Sequence, residues 1–251
     1  MSLEILYHDA HFVVINKPSG LLVHRSPIDR HETRFALQML RDQIGQRVYP
    51  VHRLDKPTSG VLLFGLSAEA AHKAQQVMQA DKVKKTYYAI VRGYTPEYLD
   101  IDHPVKTITD AYDDKTADSH KPARTLLKTL AHCEIPISVD KYPMSRYSLV
   151  QLQPITGRRH QLRYHLKHIS HPIIGDAKYG KGNHNRMFQQ AFGLKRLLLA
   201  ATNIQLMHPF TQEALNIYAP LEDSFLTVMN ALPWSYNNTD NDMLAGLRHA
   251  G

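Results

Sequence analysis

The sequence has 251 residues, 43% of them hydrophobic, which is enough to bury a full core as one large domain or two small ones. Its 30 Lys and Arg residues against 23 Asp and Glu residues give a net charge of +7, and such a basic surface favours polyanionic partners. No apolar run could span a membrane, no export signal precedes the first strand-like segment, and the single cysteine, Cys133, excludes an intrachain disulfide and a cysteine-based zinc cluster. We therefore expect a cytoplasmic protein without membrane segments.

Short strand-like segments, separated by Gly, Pro and Asp turns, dominate the chain. The predicted strands cover residues 12–16, 61–66, 86–91, 147–152 and 215–218.

Two helices are predicted between these strands. Ser67 can cap the first helix, because its hydroxyl can accept a backbone N–H of the first turn. Apolar residues recur at helical spacing in both helices; they are Ala70, Ala74, Val77 and Met78 in the first and Leu162, Leu166 and Ile169 in the second. The pattern indicates an α+β fold with a mixed, mainly antiparallel sheet and flanking helices.

Two segments are predicted to be irregular. Residues 109–121 are polar and charged, which is typical of an exposed, mobile loop. Residues 236–251 are also polar and are predicted to form a flexible tail. Because no repeat or low-complexity linker divides the rest of the chain, we expect one domain over residues 1–235.

The segment 52–67, His-Arg-Leu-Asp-Lys-Pro-Thr-Ser-Gly-Val-Leu-Leu-Phe-Gly-Leu-Ser, places Asp55 in a basic turn directly before an apolar run. Pro57 and Gly60 fix the turn, and Val61 begins a strand that is committed to the core. Asp55 is therefore predicted to lie at the mouth of a buried strand. From the spacing alone, its carboxylate could cap the turn or belong to a functional site, since Asp is common in turns.

This segment resembles the signature block of the RluA-type pseudouridine synthase family, in which the matching Asp is the single essential catalytic carboxylate. Further segments resemble family motifs in the same order: Asn-Lys-Pro-Ser-Gly-Leu-Leu-Val-His at 16–24, Lys-Lys-Thr-Tyr-Tyr-Ala at 84–89, Thr-Gly-Arg-Arg-His-Gln-Leu-Arg at 156–163 and His-Pro-Ile-Ile-Gly-Asp at 171–176. The resemblance implies a fold around a central RNA-binding cleft, and isomerisation of uridine to pseudouridine in RNA by Asp55 without a cofactor. It leaves open whether Asp55 attacks the sugar or the base, or removes the C2′ proton to give a glycal.

Arg163 is predicted to lie on the second helix, with Arg159 and Lys167 at i−4 and i+4 completing a cationic stripe. Helical spacing alone favours a solvated basic face, which could bind RNA. The match to the Gly-Arg-x-His-Gln-Leu-Arg motif implies that Arg163 pairs with the catalytic carboxylate. A guanidinium suits this role, because its fork can hold a carboxylate bidentately and keep it ionised.

Tyr87 and Tyr88 are neighbours on a predicted strand, so their side chains point to opposite faces. By propensity, either tyrosine is more often a packed strand residue than a catalytic group. The Lys-x-Tyr-x-Ala register of the family selects Tyr87. The resemblance implies that its ring stacks on the target uracil and that its phenol helps to remove the C5 proton.

A uridine stacked inside folded RNA must be extruded before its glycosidic bond can be reached. By resemblance, Arg53 is the candidate to fill the gap left by the base, with His52 beside it. Both residues also have plain structural interpretations, because Arg53 could contact only phosphate and His52 could only fix the turn.

The 16 histidines raise the question of a metal site. Four of them cluster in the sequence; they are His160, His165, His168 and His171. None forms the His-Glu-x-x-His pair of helical zinc sites, and the Arg and Lys residues nearby would repel a cation. We expect no metal and no cofactor.

Four shorter segments resemble family members that act on tRNA: Val-His-Arg at 23–25, Arg-Asp-Gln-Ile-Gly-Gln at 41–46, Phe-Gly-Leu-Ser at 64–67 and His-Pro-Phe-Thr at 208–211. This resemblance implies a tRNA substrate and uridine 65 as its target. A synthase acting on ribosomal RNA and a noncatalytic RNA-binding protein of the same fold are the alternatives. Many ribosomal members carry an N-terminal S4 domain, and the motifs here begin too early for one. One position departs from the family pattern, because Ala200 stands where relatives usually carry histidine. We expect the protein to bind tRNA as a monomer.

Overall fold

The computed structural model of the protein describes residues 2–25, 31–79, 83–106 and 120–236, and the chain divides into two compact units. Unit 1 contains the described residues up to Tyr87 together with Leu199–Leu226, and unit 2 contains Tyr88–Leu198 and the described residues from Thr227 onwards. None of the described helices is both long and apolar enough to cross a membrane. The prediction that residues 1–235 fold together as one domain stays a prediction.

The strands are β1 (Glu4–His8), β2 (Phe12–Lys17), β3 (Tyr49–Pro50), β4 (Ser59–Gly65), β5 (Lys84–Arg92), β6 (Tyr98–Asp102), β7 (Val105–Lys106), β8 (His120–Lys121), β9 (Arg124–Ile135), β10 (Ser145–Pro154), β11 (Leu199–Met207), β12 (Ala214–Tyr218) and β13 (Ser235–Tyr236). The helices are α1 (Ala36–Ile44), α2 (Ala68–Gln79), α3 (Gln161–His168), α4 (Gly182–Phe192) and α5 (Asp223–Ala231).

The predicted strands are confirmed as β2, β4, β5, β10 and β12, and the predicted helices as α2 and α3, so the α+β class is confirmed. The cap of α2 is also confirmed, because Ser67 Oγ accepts the N–H of Ala70 at 3.0 Å. Helices α1, α4 and α5 were not predicted. Neither α1 nor α4 has a side-chain cap, and α1 buries only Ala36 and Leu40, so both give weak helical signals in the sequence.

The sheet of unit 1 has the strand order β1-β2-β4-β11, with β3 on β4 and β12 on β11. Strands β4 and β11 are parallel, and the other pairs named here are antiparallel. Strand β4 is buried along its whole length: Leu62 packs in a cluster with Leu40 of α1, and Leu63 packs in a second cluster with Ala74 of α2. The uninterrupted apolar run after Asp55 is therefore a strand with both faces covered.

Unit 2 is built on the long antiparallel pair β9 and β10, which runs from Ser145 opposite Ile135 to Pro154 opposite Thr125. Strands β6 and β13 pair with the other edge of β9. Helix α4 packs on this sheet through Phe188, whose ring meets that of Tyr147 edge-on at a centroid distance of 4.8 Å.

The two segments predicted to be irregular lie largely outside the described residues. The loop prediction for residues 109–121 was wrong at its end, because His120–Lys121 form strand β8 and pair with β7. Tyr236 belongs to β13, so the boundary drawn for the tail was one residue early. Residues 107–119 and 237–251 are outside the described residues.

Candidate active site

Asp55 begins a tight turn that leads directly into β4. The N–H of Thr58 donates to the carbonyl oxygen of Asp55 at 3.0 Å, and every residue of β4 from Ser59 onward is buried. Asp55 itself is half-buried. Its carboxylate therefore lies at the mouth of a buried strand, as the turn residues and the apolar run predicted.

Gly60 follows this turn at a point where β4 and β11 approach closely. Its φ is +111°, and a Cβ atom would lie 1.9 Å from the carbonyl oxygen of Ala201. Only glycine fits, since other residues rarely adopt this φ and the neighbouring atom belongs to the backbone. Ala200, the departure from the family pattern, pairs with Ser59 and is 2% exposed, so its methyl group fills a packed position.

Lys17, at the end of β2, stabilises the Asp55 turn. Its side chain is fully buried, and Nζ donates to the carbonyl oxygens of Pro18 (2.9 Å), Leu21 (2.8 Å) and Lys56 (3.2 Å). A buried ammonium group is costly unless its donors are paired, and three carbonyl oxygens pair them here. Because Lys56 follows Asp55, this bond fixes the backbone beside the carboxylate. This role of Lys17 was not predicted, although a lysine at the end of an apolar strand could have indicated it.

A second set of hydrogen bonds joins the loop after β2 to the same turn. The N–H of Gly20 donates to the carbonyl oxygen of Lys56 at 2.9 Å, and Ser19 Oγ donates to that of Pro57 at 2.7 Å. Glu222 Oε1 in turn accepts the N–H of Ser19 at 3.0 Å. These bonds limit how far the backbone that carries Asp55 can move.

Tyr87 lies within electrostatic reach of Asp55. Burial, and then the negative charge of Asp55, raise the pKa of the Tyr87 phenol well above its ordinary value. Tyr88 points to the other face of β5 and is 5% exposed, and its hydroxyl accepts a hydrogen bond from Gln151 Nε2 at 3.3 Å. Of the two tyrosines, Tyr87 is the one near Asp55, in agreement with the family register. Its catalytic role stays a prediction.

His52 and Arg53 precede Asp55 and have different surroundings. His52 Nε2 accepts the N–H of Leu63 at 3.2 Å, and burial together with the charge of Lys85 lowers the pKa of this imidazole to about 3. His52 is therefore neutral near pH 7 and fixes the turn, and an additional contact with RNA stays a prediction. Arg53 is exposed and forms no ion pair with another described residue, so its guanidinium is accessible.

Arg163 forms a buried ion pair with Asp176. Its Nε lies 2.7 Å from Oδ2 and its Nη2 lies 2.9 Å from Oδ1, and the two side chains are 8% and 0% exposed. The backbone N–H groups of Lys178 and Tyr179 also donate to Oδ1, both at 2.9 Å. Burial acts to raise the pKa of Asp176, but these interactions outweigh it and hold the pKa below its usual value. Asp176 was not predicted as a partner, although it ends the motif at 171–176.

The prediction that Arg159 lies on the second helix is wrong. Helix α3 begins at Gln161, because His160 has a left-handed backbone with a φ of 58° and the Gln161 side chain is hydrogen bonded to the preceding turn. Arg159 therefore lies outside the helix. Arg163 lies on α3 and is buried, which agrees with a paired arginine and not with the solvated face that helical spacing alone favours. Lys167 is exposed on α3. RNA binding by Arg159 and Lys167 stays a prediction.

Comparison with known proteins identifies the family. Residues 11–168 match the family model described as RNA pseudouridylate synthase. The chain is 47% identical to tRNA pseudouridine synthase C of Vibrio vulnificus (strain CMCP6), over 92% of this chain and 96% of that protein. It is 48% identical to tRNA pseudouridine synthase C of Pasteurella multocida (strain Pm70), over 95% of this chain and 99% of that protein. The chain belongs to the RNA pseudouridylate synthase family.

Solved structures agree with this membership. Human RNA Pseudouridylate Synthase Domain Containing 1 superimposes with a TM-score of 0.73 at 26% identity, over 100% of this chain and 96% of that chain. Human RNA Pseudouridylate Synthase Domain Containing 4 gives a TM-score of 0.70 at 28% identity, over 94% and 95%. The predicted enzyme class, an isomerase that forms pseudouridine in RNA, is confirmed.

The histidines near α3 in this synthase are engaged in hydrogen bonds and ring stacking. His165 bonds through Nε2 to the carbonyl oxygen of His103 at 2.8 Å and through Nδ1 to Thr125 Oγ1 at 3.0 Å, and the rings of His103 and His168 stack at 3.5 Å. Within the described part of the chain, no group of three or more His, Cys, Asp or Glu side chains is arranged to hold a metal ion.

Proposed function

We propose that this synthase converts one uridine of tRNA to pseudouridine, with Asp55 as the essential carboxylate. The observation that carries the proposal is a half-buried Asp55 on a fixed backbone, with the Tyr87 phenol in its electrostatic field. The relatives named tRNA pseudouridine synthase C support tRNA as the substrate, because 47% identity extends over 92% of the chain. Within tRNA we propose uridine 65, the position that the sequence resemblance implies.

The reaction is an isomerisation, so its atoms and electrons balance without a redox partner. The bond between ribose C1′ and N1 breaks, the base turns, C1′ bonds to C5, and the C5 proton is lost while N1 gains a proton. A carboxylate can promote these steps by attacking the sugar or the base, or by removing the C2′ proton to give a glycal. All three routes require a carboxylate that is held in position, which the contacts of Lys17 support.

Tyr87 passes on the C5 proton in this proposal. While Asp55 carries its charge, the phenol stays protonated, because burial and that charge raise its pKa. Burial is the larger cause of this high pKa and does not change during the reaction, so the phenol can take the C5 proton only as it donates its own proton to water. This exchange delivers the C5 hydrogen to solvent after C1′ has bonded to C5.

Cationic side chains supply RNA binding in this proposal. Arg53, exposed beside the Asp55 turn, fills the gap left by the extruded uracil, and Arg159 and Lys167 contact phosphate groups. Arg163, anchored by Asp176, stabilises the catalytic carboxylate. The net charge of +7 supports binding to a polyanion. A cytoplasmic monomer that requires no metal completes the proposal.

Release of the C5 hydrogen tests the reaction and the substrate together. Transcripts of tRNA and of ribosomal RNA that carry tritium at uracil C5 are incubated with the purified protein, a chelator and no added cofactor. We expect the protein to release tritium into water from the tRNA transcript but not from the ribosomal RNA transcript. We expect Asp55→Asn to bind tRNA without releasing tritium, because the amide keeps the shape of the side chain but can act neither as nucleophile nor as base.

Asp42→Asn is the matched control, because Asp42 is an exposed acid of α1 in the same unit and should be replaceable without loss of turnover. Near-normal turnover by Asp55→Asn would remove Asp55 from the mechanism. Release from ribosomal RNA alone would change the substrate. Retention of tritium in every RNA, together with tight and salt-sensitive binding, would favour the noncatalytic RNA-binding alternative.

A further inference from the structure

Lys85 differs from the other lysines around the Asp55 turn. Lys17 donates to three carbonyl oxygens, and Lys56 forms an ion pair with Glu32, with 2.8 Å between Nζ and Oε1. Lys85 is half-buried, yet it has no hydrogen bond or ion pair with another residue of the described ranges. Burial lowers the pKa of its ammonium group. A partly desolvated charge without a counter-charge is unfavourable, and an incoming anion would stabilise it.

Lys85 lies on the same face of β5 as Tyr87, near the Asp55 turn. Lys85 and Tyr87 are two residues apart on β5, so their side chains point to the same face, with Cα atoms about 7 Å apart. Tyr87 lies within electrostatic reach of Asp55, and Lys85 is close enough to His52 for its charge to lower the pKa of that imidazole. Lys85 therefore borders the Asp55 turn from a second element of unit 1.

We propose that the ammonium group of Lys85 binds a phosphodiester group of the RNA at the target uridine, an inference that rests on the proposed function. When the uracil of a nucleotide stacks on Tyr87, the phosphates of that nucleotide lie on the far side of its ribose. The distance from the uracil to these phosphates is comparable with the spacing of side chains two residues apart on a strand. His52 cannot supply the charge instead, because its ring is neutral and its Nε2 already accepts the N–H of Leu63. Lys85 is the cation on this face of β5 that has no protein counter-charge in the described ranges.

The consequence is that Lys85 positions the substrate. An ion pair formed in a partly desolvated place is stronger and less screened than one at the surface. Lys84, the neighbour of Lys85, is exposed and points to the opposite face of β5. A phosphate contact should therefore depend on Lys85 much more than on Lys84.

The test compares Lys85→Met with Lys84→Met, which removes an exposed charge from the adjacent position. The affinity for an unmodified tRNA transcript is measured at several salt concentrations, and tritium release gives kcat at saturating RNA. We expect Lys85→Met to weaken binding about tenfold at low salt and to reduce the slope of log affinity against log salt by about 0.7 to 0.9, the value of one phosphate contact. Lys84→Met should change both much less, and Lys85→Arg should keep the wild-type slope.

An unchanged salt slope in Lys85→Met, or equal losses in the two Met variants, would overturn the proposal. Thermal unfolding of each variant shows whether the fold is kept, and Lys85→Gln replaces Lys85→Met in the same comparison if the latter does not fold. The affinity measurement does not require turnover. A wild-type protein that binds RNA without releasing tritium would therefore contradict the proposed function alone, whereas turnover with an unchanged slope would contradict the Lys85 contact alone.

Discussion

The chemistry of the site depends on a few residues whose properties are set by their neighbours. Lys17 holds the backbone beside Asp55, and Tyr87 keeps its proton because burial and the charge of Asp55 raise the pKa of its phenol. His52 accepts the N–H of Leu63 and has a low pKa, so it fixes the turn, and its contact with RNA stays a prediction. Residue type alone does not distinguish these roles, because the same side chains serve different roles in different surroundings.

Replacing Tyr87 tests the role of its phenol. Tyr87→Phe should bind tRNA like the wild type, because stacking by the ring is kept, but turnover should fall at least about a hundredfold, since acid–base catalysis contributes roughly 10²–10⁴-fold. Tyr88→Phe removes the hydroxyl that accepts from Gln151 and should keep turnover, with about 1 kcal/mol lost from the free energy of unfolding. Single-turnover tritium release measures both variants. A larger defect in Tyr88→Phe would show that the site uses the other face of β5.

At the scale of the elements, the parallel contact between β4 and β11 holds the strand that follows Asp55. Gly60→Ala would place a methyl group 1.9 Å from the carbonyl oxygen of Ala201, and the backbone cannot yield there without separating the strands. We expect a loss of about 3 kcal/mol or more in the free energy of unfolding, measured by urea denaturation.

Gly45→Ala is the control for this prediction. Gly45 also has a positive φ, +67°, but nothing lies within 4 Å of a Cβ built there, so the loss should be only about 1 kcal/mol. Equal losses in the two variants would mean that backbone conformation, rather than the approach of β11, explains the need for glycine at position 60.

The elements also show what the sequence could and could not predict. Strand β4 and helix α2 were predicted because a local pattern, an apolar run or a capped periodic segment, determines each of them. Asp176 as the partner of Arg163 was not predicted, because it lies 13 residues away and helical spacing gives no information about contacts at that separation. The start of α3 was also missed, since it depends on the left-handed backbone of His160, a conformation that residue type rarely signals.

For the whole molecule, buried titratable groups connect stability with pH. Burial lowers the pKa of His52, His165 and His184 below the ordinary value of 6.5. Each of these imidazoles takes up a proton at a lower pH in the folded chain than in the unfolded chain, where it does so near pH 6.5. Below that pH the unfolded state therefore binds more protons than the folded state, and the free energy of unfolding must fall as the pH falls.

The carboxylates act in a lower pH range. The pKa of Asp176 is held below 3.8 despite its burial, so its contribution to stability is complete above that pH and is lost only as the pH falls through the lower folded-state value. Between pH 7.5 and 5.5, the histidines alone should therefore determine how stability changes.

Urea denaturation at pH 7.5 and pH 5.5, at constant ionic strength, measures this histidine contribution. We expect the free energy of unfolding to be about 2 kcal/mol lower at pH 5.5, because each buried imidazole contributes up to about 1.4 kcal/mol per pH unit and partial exposure reduces that value. His52→Gln keeps an acceptor for the N–H of Leu63 but cannot titrate, so the difference between the two pH values should be smaller in this variant. An undiminished difference in His52→Gln would show that the neutral state of His52 does not contribute, and equal stability of the wild type at both pH values would contradict the histidine account altogether.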